Sequence, residues 1–442
     1  MQGRTGSVIT LVLVIFVLMQ RPFDGLIPLP EVAVEPGPAT TRLVEPLLPN
    51  GHPDIVRYWN DELAADVTAP TNAFPALVEL LGRRFAASYA VELQRFGCTP
   101  TRLWPPLQAE GAAEEGVVPL QSQRLQALAA VLAEHDQLTL PLASPVDWLG
   151  DCESQLLMLG GGVLASLGSA GDESAHRLRL QVMTDYLRLL AGSNSLRLVA
   201  GSSVFAGVMQ VGLADYLRRH PQDEAAVVLG RALADGLPTT SMAQLLEYDR
   251  WLSCHYFQNL AALLEGEEHL QALVAQLDEI GADPNQAYRR IHAAYDRLQE
   301  RYAQMQDLDG SFVAAEMRSL DELLGRRTPL AERMLFGSTL AFRRQHLTDI
   351  CVRVILLVQF GTIDRFVEHF GRSFAFDPVD YLRMTLANVA FRQEHRRIPA
   401  GLVDLGPAWS EVVLPRGLQW RDGWAIPVES PTMAPSPTEE ER

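Results

Sequence analysis

The sequence predicts an all-α protein, a multi-helix bundle or irregular helical array with an N-terminal membrane helix and a small C-terminal β-hairpin. Proline supplies the first observation, because only four of the 28 prolines lie in residues 146–377, against 16 in residues 1–145 and eight in residues 378–442. That middle zone is rich in Leu, Ala, Arg, Glu and Gln, which favour helices. Its apolar residues recur at steps of three and four, the spacing of an amphipathic helix.

The first element is an uncharged apolar run from Gly6 to Gln20, which predicts an export signal or a membrane anchor. Arg4 precedes the run and acidic residues follow it, so the N-terminus is expected in the cytoplasm and the rest outside it. As a helix the run spans about 22 Å, less than a hydrocarbon core of about 30 Å, which favours a cleaved signal.

No pair of small residues marks a cleavage site after Gln20, and this favours an uncleaved anchor, our first prediction. A cleaved signal and a buried helix are the alternatives. The predicted membrane anchor consists of Val8, Ile9, Leu11, Val12, Leu13, Val14, Ile15, Phe16, Val17, Leu18 and Met19.

The rest of the chain divides by composition. Residues 1–27 are the predicted signal anchor or signal peptide, and residues 28–53, with seven prolines, predict an extended linker. A helical domain is predicted over residues 54–400 and a small hairpin tail over 401–427. Residues 428–442 are polar and proline-rich, which is typical of disorder.

Helix starts are marked at Ser144-Pro145 and Asp377-Pro378, where a capping residue precedes proline, and at Asp172. The uncharged residues 198–213 predict a central buried helix rather than a second membrane span. Three consecutive glycines, residues 160–162, predict a helix break or a close-packing site. Further helices are predicted at 73–97, 121–136, 194–219, 222–234, 240–264, 267–280, 285–306, 311–324 and 329–371.

The tetrapeptide Asp-Tyr-Leu-Arg occurs at 185–188, 215–218 and 380–383. On a helix, Asp and Arg three residues apart form a solvent-side pair while Tyr and Leu face the core. We therefore predict reuse of an amphipathic pattern rather than a named repeat family.

Composition excludes several chemistries. All 37 basic residues are arginine, so this chain cannot provide the lysine amine of a Walker-type phosphate loop, a kinase, a Ser-Lys dyad or a Schiff base. The net charge of −17 argues against nucleic acid as a partner.

The four cysteines contain no C-x-x-C pair, which disfavours a metal or thioredoxin-like site. Cys98 and Cys152 stand beside loop signals, so in an oxidising compartment they are the predicted disulfide partners. Cys254 and Cys351 lie in helical patterns and are predicted to be small buried hydrophobes.

No catalytic, cofactor or metal site is predicted. His292 with Asp296, and His346 with Asp349, share a helix face and could each supply two metal ligands, but no third ligand is evident. As exposed helix residues, either histidine should tolerate alanine with a change below about 1 kcal/mol.

The C-terminal stretch Tyr381 to Leu405, with the run Ala390 to Ala400, resembles a tail of bacterial membrane-tethered envelope proteins of unknown function. The resemblance implies a helix followed by a β-hairpin over about 381–427, with Asp422-Gly423 as the turn. It implies an envelope location and no reaction.

These observations predict a membrane-tethered, extracytoplasmic protein of the bacterial inner membrane, with a structural or protein-interaction role and another envelope protein as partner. One alternative is an envelope hydrolase whose site combines distant His, Asp and Glu residues. Another is a minor component of a secretion or pilus-like assembly. Convergence of three or more His, Asp, Glu or Cys side chains in a pocket favours the enzyme, and a broad apolar groove favours the interaction module.

Overall fold

The structure, a computed structural model, is mostly helical, as predicted. Of the residues it describes, 71% are helical, in 14 α-helices, and a two-stranded hairpin lies near the C-terminus. The described residues are 32–66, 71–82, 86–87, 89–95, 103–104, 120–142, 152–167, 173–237, 240–264, 271–302, 340–371, 377–406, 414 and 417–428. The predicted membrane helix and the helix starts at Ser144-Pro145 and Asp172 lie outside them, as does the predicted helix 311–324.

The helices and strands follow one another in a simple order. They are α1 (Ile55–Asp66), α2 (Phe74–Leu81), α3 (Ala90–Arg95), α4 (Ser122–Glu134), α5 (Cys152–Leu167), α6 (Glu173–Ala191), α7 (Leu196–Arg219), α8 (Glu224–Ala234), α9 (Met242–Gln258), α10 (Leu260–Leu264), α11 (Gln271–Ile280), α12 (Pro284–Tyr302), α13 (Leu340–Gly371), α14 (Pro378–His395), a 3-10 turn (Leu402–Leu405), β1 (Leu418–Arg421) and β2 (Trp424–Pro427).

Helix α7 is the centre of the fold and contacts α5, α6, α8, α9, α13 and α14. Ser195 caps its start by accepting a hydrogen bond from Leu198 N at 3.3 Å. Within the described residues α7 is the one helix long and apolar enough for a membrane span, yet 67% of its most apolar window is buried by protein. The prediction of a central buried helix is confirmed.

The glycine run lies inside α5 and does not break it, so that part of the prediction is wrong. The other part, a close-packing site, is confirmed at Gly160. A Cβ at this position would stand 3.0 Å from ring carbons of Phe205 and Tyr186. Real Cβ contacts are rarely so tight, and α5 can approach α6 and α7 only because the side chain is absent.

Two long predicted helices are divided. The helix predicted at 73–97 becomes α2 and α3, and α2 ends where Gly82 adopts a φ of 102°, a value that favours glycine. The helix predicted at 240–264 becomes α9 and α10, because Asn259 Nδ2 donates to His255 O at 2.9 Å and so satisfies a carbonyl of the last turn.

Residues 138–142 are extended, and three asparagine side chains hold their backbone. Each side chain accepts from an N–H and donates to the C=O of one residue, as a neighbouring β-strand would. We call this arrangement an asparagine clamp. The pairs are Asn72 with Thr139, Asn194 with Leu140, and Asn60 with Leu142, at N···O distances of 2.8–3.1 Å.

The Asp-Tyr-Leu-Arg copies follow the predicted pattern in part. The Asp and Arg side chains pair at 3.3 Å in the first copy and 3.6 Å in the second, and Tyr and Leu are buried in all three. In the third copy Arg383 donates instead to Ala234 O at 2.9 Å. Tyr381 Oη donates to Asp215 Oδ1 at 2.8 Å, which joins the third copy on α14 to the second on α7.

The predicted hairpin is confirmed. Strands β1 and β2 pair antiparallel with Arg421 opposite Trp424, and Asp422 and Gly423 form the turn with φ of 54° and 74°. Positive φ at both positions defines a type I′ turn, which Asp-Gly favours. The Arg392 guanidinium lies 4.1 Å from the Trp424 ring centroid and fastens the hairpin to α14.

Candidate functional site

The N-terminal described segment, residues 32–54, is not helical and runs over α12 and α9 to the start of α1. We call it the strap. It is part of the segment in which the sequence predicts a linker, and the domain boundaries themselves stay a prediction. Side chains of α12 fasten the strap at three places, each within hydrogen-bond distance.

The start of the strap is held by Asn285. Its Oδ1 accepts from Glu35 N at 2.8 Å and its Nδ2 donates to Ala33 O at 2.8 Å. These two bonds make Asn285 a fourth asparagine clamp, here across two residues of the strap. The Asn285 side chain is buried, with 4% exposed. Its loss would leave two backbone groups without these partners.

The middle of the strap is held by His292 and Asp296. His292 Nε2 lies 3.2 Å from Thr41 O and, since a carbonyl only accepts, this nitrogen carries the proton. Asp296 pairs with Arg42 of the strap and, at 3.1 Å, with the buried Arg250 of α9. Asp296 thus accepts from two guanidinium groups, and Arg250 also pairs with Glu247 at 3.2 Å.

The end of the strap is held by Tyr288 and Gln258. Tyr288 Oη lies 2.9 Å from His52 Nδ1, and Gln258 Nε2 donates to Pro53 O at 2.7 Å. The α12 residues Asn285, Tyr288, His292 and Asp296 stand at i, i+3, i+7 and i+11 and therefore share one helix face. We call these four residues the α12 stripe.

A pocket of about 460 Å³ lies where the end of the strap meets α1, α3 and α9. The strap contributes Leu48, Asn50, His52 and Asp54 to its wall. Asp54 Oδ1 also accepts from Arg57 N at 3.0 Å and so caps α1. Three half-buried strap side chains and the exposed Asn50 therefore form one side of a concave, ligand-sized space.

The opposite side of the pocket comes from α3 and from the end of α9. It consists of Val91, Glu92, His255, Gln258 and Asn259. Glu92 and His255 are buried, whereas Val91 is 57% exposed and so stands at the opening. Two imidazoles, two carboxylates and several amides, from four separate parts of the chain, thus line one pocket.

The wall can donate and accept hydrogen bonds on several sides. The imidazoles of His52 and His255 and the Glu92 carboxylate are also groups that move protons in general acid–base catalysis. Among the residues that the structure describes, no three or more His, Cys, Asp or Glu side chains are grouped to hold a metal ion.

The histidine–aspartate pairs that the sequence offered as metal ligands have other partners. His292 and Asp296 bind the strap. Asp349 Oδ1 lies 2.8 Å from Arg290 Nε, and His346 is exposed beside Phe342. The expectation that His292 is an exposed residue is wrong, because it is 3% exposed under the strap.

The cysteine predictions have a mixed outcome. Cys254 and Cys351 are buried thiols, as predicted, and burial raises the pKa of Cys351 to about 12 and that of Cys254 further. Cys152 is buried in the first turn of α5. Cys98 lies outside the described residues, so its pairing with Cys152 stays a prediction. So does the membrane anchor Val8 to Met19.

A second charged cluster is buried where α5, α7 and α9 meet. Glu153 accepts from Arg197 Nη1 at 3.0 Å and from Ser195 Oγ. Burial, and then the Glu153 charge, raise the pKa of the nearby buried Asp249, while Arg197 opposes this. One arginine therefore balances two buried carboxyl groups, and because no pocket residue belongs to the cluster we assign it a structural role.

None of the protein-family models, curated proteins or solved structures compared with this chain matches it. The C-terminal resemblance therefore stays a prediction, and function has to be argued from the strap and the pocket.

The sequence did not predict a role for His52, Glu92, His255 or the α12 stripe. A signal for the stripe was present, since polar residues at steps of three and four are set among the apolar Ala287, Ile291 and Tyr295 on one helix. No sequence pattern links His52, Glu92 and His255.

Acid is expected to loosen the strap through His292. Burial lowers the pKa of His292 to about 3, helped by the Arg42 and Arg250 cations, against an ordinary value near 6.5 in the unfolded chain. Between these values the unfolded chain binds a proton that the folded chain does not, so stability falls as pH drops. At pH 5 the loss amounts to about 2 kcal/mol relative to neutral pH.

His292→Gln keeps a donor for Thr41 O but removes this titration. We expect the free energy of unfolding, measured in urea at pH 7.5 and pH 5, to depend on pH less steeply in this variant than in the wild type. His346→Gln on the exposed face of α13 is the matched control and should follow the wild type. Equal pH dependence in all three proteins would contradict the assignment.

Proposed function

We propose that this protein is a membrane-tethered protein of the bacterial envelope whose helical domain binds a small polar molecule in the strap pocket. The pocket carries the proposal, because a concave site of about 460 Å³ has the size of a small-molecule site, and the polar side chains of its wall can bind a polar molecule. The tether rests on the apolar run Val8 to Met19 and its flanking charges.

The wall chemistry suggests the class of ligand. Glu92 and Asp54 accept hydrogen bonds, Arg57 donates them, and the amides of Asn50 and Gln258 can do both. A molecule with donors and acceptors on all sides suits this wall better than an apolar molecule or a simple anion. Monosaccharides and free amino acids have this character.

Binding is tested with the full-length protein in detergent, by thermal unfolding in the presence of a panel of monosaccharides, amino acids and inorganic phosphate. A ligand at a hundred times its dissociation constant stabilises the folded state by about 2.7 kcal/mol. We expect a monosaccharide or an amino acid to raise the melting temperature and phosphate to have no effect.

Val91→Trp is expected to abolish this rise, because the larger side chain fills the opening from an exposed helix position. Val228→Trp is the matched control, since Val228 is 63% exposed on α8 and lines no part of the pocket. Loss of the rise in both variants, or in neither, would contradict binding in the pocket.

Hydrolysis is a second candidate, favoured by the presence of His52, Glu92 and His255 in the wall of one pocket. We expect p-nitrophenyl esters, phosphates or glycosides to release p-nitrophenol if the site is catalytic. His255→Gln should then remove the activity and His220→Gln, on the surface beside Tyr216, should not. Absence of turnover on all three substrate classes would leave binding as the better proposal.

The tether is tested by fractionation and by mapping the N-terminus. Intact protein should stay with the membranes after a salt wash, with its C-terminus accessible from outside the cytoplasm. A mature N-terminus after Gln20 would contradict the anchor and leave export in place.

A further inference from the structure

We infer that the strap is a releasable latch on the pocket, so that docking of the strap on the α12 stripe and binding of a ligand in the pocket favour each other. This inference rests on the proposed binding role and adds the control of that same site.

The two halves of the strap have different tasks. Residues 33–42 bind α12 through Asn285, His292 and Asp296, whereas residues 48–54 form one side of the pocket. Only a few residues join the halves. Detachment of the first half leaves the second half held by Tyr288, by Gln258 and by its own turn alone, so that side of the pocket wall is held by fewer contacts.

One hydrogen bond joins the α12 stripe to the wall of the pocket. Tyr288 is a member of the α12 stripe, and its hydroxyl lies 2.9 Å from Nδ1 of His52, which lines the pocket. The position of a pocket imidazole is thus set by the helix that holds the strap. A ligand that binds His52 in this position favours the docked strap over the released one.

The strap is attached in a way that permits release. Among its larger apolar side chains, Val44 and Leu47 are exposed, Val34 and Leu48 are half-buried, and Leu43 is buried. Hydrogen bonds and one ion pair, rather than a large apolar area, hold it on α12. Segments with few buried apolar contacts open at a lower free energy than the core does.

The position of the strap in the chain suggests what could detach it, namely a pulling force between the membrane and the helical domain. The strap lies between the predicted anchor, which ends at Met19, and the helical domain. Among the described contacts of the strap the Asn285 clamp is nearest the anchor, so a pull between membrane and domain reaches this clamp first. By reciprocity, a ligand that stabilises the pocket makes the strap harder to detach by the same factor.

Hydrogen–deuterium exchange of the full-length protein in detergent tests the latch without a ligand. Asn285→Ala removes the clamp on Ala33 and Glu35 and is expected to speed exchange roughly tenfold to hundredfold at residues 33–43 and also at 48–57. Arg42→Gln removes the ion pair with Asp296 at a surface position and should speed exchange at the same residues to a smaller extent. This variant replaces Asn285→Ala in the test if Asn285→Ala does not fold.

The matched control is Asn194→Ala, which also removes two side-chain hydrogen bonds to backbone, both of them from Leu140. It should speed exchange near residues 138–142 and leave the strap unchanged. Acceleration confined to residues 33–43 in the strap variants, or absent there, would overturn the latch.

The reciprocal arm uses the monosaccharide or amino acid that raises the melting temperature. At saturation it should slow exchange at residues 33–43, which do not touch the pocket. Unchanged exchange there, with the ligand bound, would overturn the latch and leave binding intact. If no panel member binds, the binding proposal fails while the two strap variants still decide whether strap and pocket open together.

Discussion

Asn72→Ala is expected to lower the free energy of unfolding by about 4 kcal/mol. The Asn72 side chain is fully buried, donates to Thr139 O, and accepts from the N–H groups of Thr139 and Phe74 at 3.0–3.1 Å. Alanine leaves all three backbone groups without this partner, and each such group costs about 1–3 kcal/mol when it stays buried. Urea unfolding of the full-length protein, followed by circular dichroism, measures the loss.

Asn50→Ala is the control for Asn72, because Asn50 is exposed and accepts one bond, from His52 N at 3.2 Å. A change below about 1 kcal/mol is expected there. If Asn72→Ala were equally mild, the extended segment 138–142 would owe its position to apolar packing and not to the asparagine clamps.

Arg197→Met is expected to cost about 3–5 kcal/mol at pH 7.5. The change leaves the buried carboxyl groups of Glu153 and Asp249 without their balancing cation. Burial and then the Glu153 charge raise the pKa of Asp249 above its ordinary value, and the Arg197 cation opposes this rise. Without Arg197 the pKa of Asp249 is therefore expected to rise further. A folded pKa above the unfolded one favours the folded state at low pH, so the deficit of the variant should shrink as pH falls to 5.

Arg188→Met is the matched control for Arg197, since Arg188 pairs with Asp185 at 3.3 Å on the surface of α6. An exposed pair of this kind contributes less than about 1 kcal/mol. Adding Asp249→Asn to Arg197→Met should recover part of the lost stability. A deficit that is constant with pH and unaffected by Asp249→Asn would show that the variant suffers from lost packing alone.

Local signals in the sequence predicted much of the fold. The uncharged run 198–213 predicted that α7 is a central buried helix, and Asp377-Pro378 predicted the start of α14. The C-terminal resemblance implied the hairpin, with Asp422-Gly423 as its turn. Each of these features depends on residues close together in the chain. The division between α9 and α10 was not predicted, because it depends on a bond that the Asn259 side chain makes in this particular turn.

The site could be predicted much less well. His292 and Asp296 were recognised as neighbours on a helix, but their partners Thr41 and Arg42 lie about 250 residues away. Helical spacing tells which side chains share a face and does not tell what covers that face. The sequence alone therefore showed two possible metal ligands on one helix face and did not show that the N-terminal segment of the chain covers that face.

The asparagine clamps also have a consequence for chemical ageing. Deamidation turns an asparagine into an aspartate, and the atom that donated to a carbonyl becomes a negatively charged acceptor facing it. At Asn285 this change would detach the strap, and at Asn194, which Ser195 follows, it would free Leu140. Deamidation needs the next backbone nitrogen to reach the side-chain amide, and the clamp bonds hold that amide in place. The folded chain thus protects the residues whose slow hydrolysis would unfasten it, and damage is expected to accumulate in molecules that spend time with the strap released.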